Sequence, residues 1–136
     1  MKLRTLALIF MLTPLFAHAG KEERDFIATK VEPAVKEAAA SYKKSCGCDV
    51  KFDVKLDTYK DKDALYKVKY FAEAIKDGAP AYCTDAASKV AMCKLKSIEV
   101  SKSSAADFKF SGGKGVATTD NSANPSWEMV TRAVDK

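Results

Sequence analysis

Two cysteines separated by one glycine, Cys46-Gly47-Cys48, are the residues whose type and spacing most readily suggest chemistry. Close thiols exchange disulfides when one is ionised and exposed, so the pair predicts either a redox dithiol or two anchors for structural disulfides. Lys43 and Lys44 favour a thiolate, but the pair follows a predicted helix C-terminus, whose dipole disfavours negative charge. A bond between Cys46 and Cys48 would also close a strained small ring. We therefore favour the structural role.

The two other cysteines, Cys83 and Cys93, lie at either end of a predicted helix. A full helix would separate them by about 15 Å, which is more than one disulfide spans. Two crossed bonds follow, and we prefer Cys46 with Cys83 and Cys48 with Cys93, because Cys48 and Cys93 both stand at the start of predicted strands. A soft-metal thiolate site remains an alternative by number of ligands, although an exporting compartment argues against it.

The chain carries few other groups that could do catalysis. Its one histidine, His18, lies in a segment that we expect to be removed, which excludes histidine-based acid-base chemistry, nucleophile activation and metal ligation. Carboxylates that a glycosidase could pair, such as Asp49 and Asp53, alternate with lysines as on a solvated strand face. The glycine-rich stretch 111–115 lacks the spacing of a phosphate-binding loop and predicts a hairpin turn or a bulge. We expect no catalytic activity, metal or cofactor.

The N-terminal residues predict export. A basic start, an apolar run over 6–16 and Ala17-His18-Ala19 before Gly20 form a secretory signal, with cleavage expected after Ala19. The run is too short to span a bilayer, so no stable membrane anchor is expected after cleavage and the protein should be periplasmic or secreted. Loss of two basic residues lowers the formal net charge of +5 to about +3. The remaining basic residues are interleaved with acids, which argues against a nucleic-acid partner.

The first predicted elements place the cysteine pair at a corner. Apolar residues at three- and four-residue spacing predict a helix over 21–45, kinked or split by Pro33, restarted by a capping box from Thr29 and ended by Gly47. From Cys48 to Thr58 the period changes to two, which predicts a strand with one buried and one charged face.

Residues 64–76 are ambiguous. Alanines, Asp63 as a cap and a stop at Gly78-Ala-Pro80 favour a helix, while the alternation of Tyr66, Val68 and Tyr70 leaves a strand open.

Further along, the patterns predict a helix capped by Thr84 or Asp85, a strand over 94–101, a hairpin built on Phe108 and Phe110, and a last helix from Ser126. Together they predict one α+β domain over 20–136, with a long N-terminal helix packed on a small antiparallel sheet and two disulfides.

Tyr66 and Tyr70 are the candidate partner-binding residues. On a helix they share a face distinct from Leu65, Val68 and Phe71, and exposed tyrosines often anchor protein interfaces. With no catalytic motif, the sequence favours a non-catalytic binding protein, such as an inhibitor or immunity-type protein that occludes a toxin or a cell-wall hydrolase. A thiol-disulfide redox protein using Cys46 and Cys48 is the alternative.

Overall fold

The computed structural model describes residues 20–136, and the predicted signal peptide of residues 1–19 lies outside the described residues. The described part is a mixed helix and sheet fold, as the sequence predicts. Its helices and strands, in chain order, are α1 (Lys21–Phe26), a π-helical turn (Ile27–Val31), α2 (Glu32–Cys46), β1 (Lys51–Val54), a 3-10 turn (Leu56–Thr58), α3 (Lys62–Tyr82), α4 (Ala86–Met92), β2 (Ser97–Lys102), β3 (Asp107–Ser111), β4 (Lys114–Thr119) and α5 (Trp127–Val134).

The N-terminal helix is continuous but contains one wide turn, so the expected kink takes the form of a π-helical turn directly before Pro33. The Glu32 N–H donates to the Ile27 carbonyl, five residues back. Proline has no N–H and its ring crowds the carbonyl four residues earlier, and a wider turn relieves this crowding. The capping box expected from Thr29 is wrong, because the Thr29 hydroxyl instead donates to the Asp25 carbonyl within the helix. The helix ends at Gly47, whose φ of 86° is left-handed as expected.

Helix α3 resolves the ambiguous segment as helical, but both predicted ends are wrong. Asp61, not Asp63, is the N-cap, and its carboxylate accepts from the Ala64 N–H at 2.8 Å. The helix also passes through Gly78 and Pro80 and ends at Tyr82. Gly78 fits here because Trp127 of α5 packs directly on its Cα: a Cβ would lie 2.2 Å from the indole Cγ.

The sheet order is β1-β2-β4-β3, and the predicted antiparallel sheet is wrong for most of its pairings. β1 pairs with β2 and β2 with β4 in parallel, while β3 and β4 form an antiparallel hairpin. Two helices connect β1 to β2, and such a long connection returns the chain in the same direction. β4 rather than β3 lies beside β2, so the hairpin leaves β4 parallel to β2.

The first strand is shorter than predicted. The period-two pattern over 48–58 forms a strand only over Lys51–Val54, and the 3-10 turn Leu56–Thr58 follows. Because β1 lies at the edge of the sheet, its apolar side chains Phe52 and Val54 are only half-buried.

The core lies between the helices and one face of the sheet. Tyr42 of α2 is fully buried there, and its hydroxyl donates to the Met92 carbonyl at 2.5 Å. The largest fully buried side chains are Tyr42, Phe71, Leu65, Ile75, Met92, Leu95, Ile98, Val31, Val68, Val100, Val130 and Val134. The other face of the sheet is polar, with Glu99 and Lys114 joined at 3.2 Å.

Candidate functional site

Both cysteines of the Cys46-Gly47-Cys48 corner are bonded to distant partners and not to each other. Cys46 pairs with Cys83 at a Cα–Cα distance of 5.2 Å, and Cys48 pairs with Cys93 at 5.8 Å, which confirms the preferred pairing. Gly47 turns the chain between the end of α2 and the approach to β1, so each cysteine faces a different segment. The corner is therefore a structural junction between α2, the end of α3 and the end of α4.

The described residues offer no metal centre. All four cysteines are in disulfides within residues 20–136, which leaves no thiolate for the soft-metal alternative. In the same range, no group of three or more His, Cys, Asp or Glu side chains is arranged to hold a metal ion.

Two carboxylates, those of Asp85 and Asp120, have lowered pKa values, and both accept hydrogen bonds from nearby backbone N–H groups. The Ser88 backbone N–H and side chain hold the pKa of Asp85 below its usual value, and Asp85 is the N-cap of α4. The Ser122 N–H and hydroxyl lower the pKa of Asp120 in the loop before α5. A lowered pKa keeps these groups ionised, which suits a cap and not a general acid.

The buried tyrosine hydroxyls also support the fold. Burial raises the pKa of Tyr59 to about 12, against a smaller opposing effect of its hydrogen bond with Thr119, whose oxygen lies 2.8 Å away. Desolvation likewise raises the pKa of Tyr42. Both hydroxyls therefore stay protonated and hydrogen-bonded in the core.

The glycine-rich stretch forms the predicted hairpin. Gly112 and Gly113 connect β3 to β4, and both have positive φ values. The stretch therefore lies between two antiparallel strands, which is not the setting of a phosphate-binding loop.

Tyr66 and Tyr70 lie on one side of α3, with Tyr66 packed at the margin of the core and Tyr70 further out towards solvent. Leu65, Val68 and Phe71 are each about 1% exposed, whereas Tyr70 is 42% exposed and Tyr66 is half-buried. The two side chains thus share the face that the helical spacing predicts. Their role in binding a partner remains a prediction.

The tyrosine pair is held in place by a third ring. Tyr66 packs on Phe26 of α1 with ring centroids 4.5 Å apart, and Tyr70 packs on Tyr66 at 5.8 Å. The Lys62 ammonium also pairs with Glu22 of α1 at 3.0 Å, an exposed contact between the same two helices. These ring contacts restrict the side-chain freedom of the two tyrosines in the unbound protein, and such a restriction reduces the entropy lost on binding.

Two lysines flank the exposed ring. The ammonium groups of Lys67 and Lys69 lie 5.5 Å and 5.3 Å from the Tyr70 centroid, within the range of a cation-π contact. Lys69 also bonds to Glu73 at 2.8 Å, and this hydrogen bond raises the pKa of Lys69 and keeps it charged. We call Tyr66, Lys67, Lys69 and Tyr70 the tyrosine face.

A second surface feature was not predicted from the sequence. A largely apolar groove of about 250 Å³ runs between the N-terminal helix and β1. Its lining consists of Ile27, Val31, Val35, Phe52, Val54 and Leu56, together with the charged Glu32 and Lys36. The period-two pattern of 48–58 identified the apolar face of the strand. It could not show that this strand lies at the sheet edge, where the face is only partly covered.

Comparisons with protein-family models, with curated proteins and with solved structures gave no match to this chain. Among the helices of residues 20–136, none has the length and apolar character needed to cross a membrane. The two disulfides are compatible with an exported protein, since such bonds persist in oxidising compartments.

Proposed function

We propose that this protein is a small exported binding protein without catalytic activity, which acts in the periplasm or outside the cell by occluding a protein partner. A toxin or a cell-wall hydrolase is the kind of partner that such a protein would inhibit. The observation that carries the proposal is the tyrosine face. An exposed aromatic ring such as Tyr70, which packs on Tyr66 and through it on Phe26, is the type of side chain that dominates protein interfaces.

The chemistry of the tyrosine face also suggests what the partner offers. Tyr70 presents an aromatic ring, Lys67 places a positive charge near it, and the charge of Lys69 is partly offset by its ion pair with Glu73. The complementary surface is an apolar recess with carboxylates at its rim. The small positive net charge of the chain would favour the approach of such an acidic partner.

The test is affinity capture with purified residues 20–136, disulfides intact, from the exported fraction of the source cells. Three immobilised proteins are compared: the wild type, Tyr70→Ala and Val90→Ala. Val90 is the matched control because it is 71% exposed on α4, outside the tyrosine face. We expect the wild type and Val90→Ala to retain the same specific protein, and Tyr70→Ala to lose it.

Two outcomes count against the proposal. One is recovery of the wild-type bait without any specific partner at micromolar concentration. The other is a partner that Tyr70→Ala retains as well as the wild type does.

A further inference from the structure

The outer edge of β1 has no strand partner within residues 20–136, because the sheet order places β1 at one end. The Lys51 N–H donates to the Lys96 carbonyl at 3.0 Å and the Lys55 N–H to the Val100 carbonyl at 2.8 Å. Odd-numbered residues of β1 therefore direct their backbone groups to β2. Backbone groups alternate along a strand, so those of Phe52 and Val54 face the open edge.

An open edge of this kind is a template for another strand. On one side of β1, Phe52 and Val54 border the apolar groove against Ile27 and Val31. On the other side, Lys51 and Asp53 are exposed. A strand added here must therefore be apolar on the helix side and carry alternating charge on the other, which is the pattern of β1 itself.

Residues 49–55, Asp-Val-Lys-Phe-Asp-Val-Lys, are self-complementary when two copies run antiparallel about Phe52. In that register Lys51 of each copy lies opposite Asp53 of the other. Just beyond the ends of β1, Asp49 of one copy comes nearest Lys55 of the other, and Val50 comes nearest Val54. Every charge meets an opposite charge on the solvated face, and every apolar side chain meets another on the helix face.

The open-edge backbone groups allow few other registers. Even-numbered residues must pair with even-numbered residues, because only these present their N–H and C=O groups outward. Shifting one copy by two residues places Lys51 opposite Lys55, and Asp53 opposite Asp53 of the second copy. The opposite shift places Lys51 opposite Lys51 of the second copy, and Asp49 opposite Asp53. Both neighbouring registers are repulsive, so charge selects the one centred on Phe52.

We propose that two copies of this protein associate through β1, antiparallel and centred on Phe52, so that their sheets join into one across a two-fold axis. Such an interface is isologous: both copies use the same surface, so a contact from Lys51 of one copy to Asp53 of the other occurs twice. The pairing replaces two ion pairs within the chain, Lys55 with Asp53 at 2.8 Å and Lys43 with Asp49 at 3.4 Å. Their side chains are 44–78% exposed, so exchanging them costs little.

The experiment uses charge exchange and sedimentation equilibrium on residues 20–136. Lys51→Asp and Asp53→Lys each create two like-charge pairs in the proposed dimer, and each should weaken association by about tenfold or more. An equimolar mixture of the two variants restores opposite charges at both pairs. We expect the mixture to form a heterodimer about as strongly as the wild type forms its dimer. Because Lys51 and Asp53 are exposed, circular dichroism should show both variants folded.

The matched control makes the same change on β3, at the other edge of the sheet. Lys109→Asp removes an exposed lysine and should leave association unchanged. A wild type that remains monomeric up to about 1 mM would overturn the proposal. So would a dimer that either single variant leaves intact, or a mixture that associates no better than each variant alone.

Discussion

At the residue scale, Gly78 shows how a distant contact decides what a position tolerates. A glycine inside a helix normally costs about 1 kcal/mol relative to alanine. In this chain the indole of Trp127 occupies the place where a side chain would begin. Trp127 in turn packs on Tyr42 and Tyr82 at centroid distances of 6.5 Å and 6.0 Å, so it has little freedom to move.

Gly78→Ala should therefore destabilise the protein despite the better helix propensity of alanine. We expect a loss of about 1 to 3 kcal/mol in the free energy of unfolding, typical of overpacking, measured by urea denaturation. The control is the same change in a Trp127→Ala background, where it should be neutral or stabilising because the indole is absent. If Gly78→Ala stabilises the otherwise wild-type protein, the claim that Trp127 leaves no room for a side chain at position 78 is wrong.

The capping carboxylates predict a pH dependence. The pKa values of Asp85 and Asp120 are lower in the folded protein than the ordinary value of 3.8. The folded state therefore binds fewer protons than the unfolded state, and stability should fall as the pH drops from about 5 towards 3. The measurement is urea denaturation across this range.

Asp85→Asn and Asp120→Asn together should make that fall shallower, since asparagine can serve the turns without titrating. An unchanged slope in the double variant would contradict the role given to the two caps.

Residue-level features differ in how far the sequence predicts them. The disulfide pairs were predictable because helix and strand patterns placed each cysteine at the end of an element, and distance excluded Cys83 with Cys93. The outward face of Tyr66 and Tyr70 followed from helical spacing. The contact between Gly78 and Trp127 was not predictable, because the two residues are far apart in the chain and meet only through the docking of α5.

At the element scale, one disulfide joins the ends of α2 and α3, and the other joins the segment before β1 to the end of α4. They close chain segments of 37 and 45 residues. Loop-closure entropy gives about 4 kcal/mol for each loop of this size, although overlapping loops are not additive. Cys46→Ser with Cys83→Ser, or Cys48→Ser with Cys93→Ser, should lower the free energy of unfolding by roughly this amount, as measured by denaturant titration.

The same bonds separate the structural interpretation from the redox alternative. We expect no thiol to react in the native protein, and four to react after denaturation and reduction. A pair of thiols that reacts rapidly under native conditions would favour the redox protein instead.

Strand direction was the main error at this scale. Apolar alternation identified β1 and the β3–β4 hairpin but carried no information on which strand lies beside which. The parallel pairing of β1 with β2 is compatible with the long connection formed by α3 and α4, and α3 continues through Pro80 to Tyr82, past the predicted stop at Gly78. The order that inserts β4 between β2 and β3 is set by packing, which local patterns do not encode.

At the scale of the whole molecule, two surfaces use different residues. The tyrosine face lies on α3, and the proposed dimer edge lies on β1. Because they share no residue, Lys51→Asp should leave partner binding through Tyr70 intact, and Tyr70→Ala should leave self-association intact. Each proposal can therefore fail without the other.

The central claim, that the tyrosine face binds a protein partner, is tested most directly by calorimetric titration of the captured partner against wild type and Tyr70→Ala. If the Tyr70 ring lies at the centre of the interface, the Tyr70→Ala change should lower the affinity by about 30-fold or more. Thermal stability should fall only slightly, since Tyr70 is 42% exposed and packs on one other ring. A Tyr70→Ala variant that binds within about twofold of the wild type would contradict the claim.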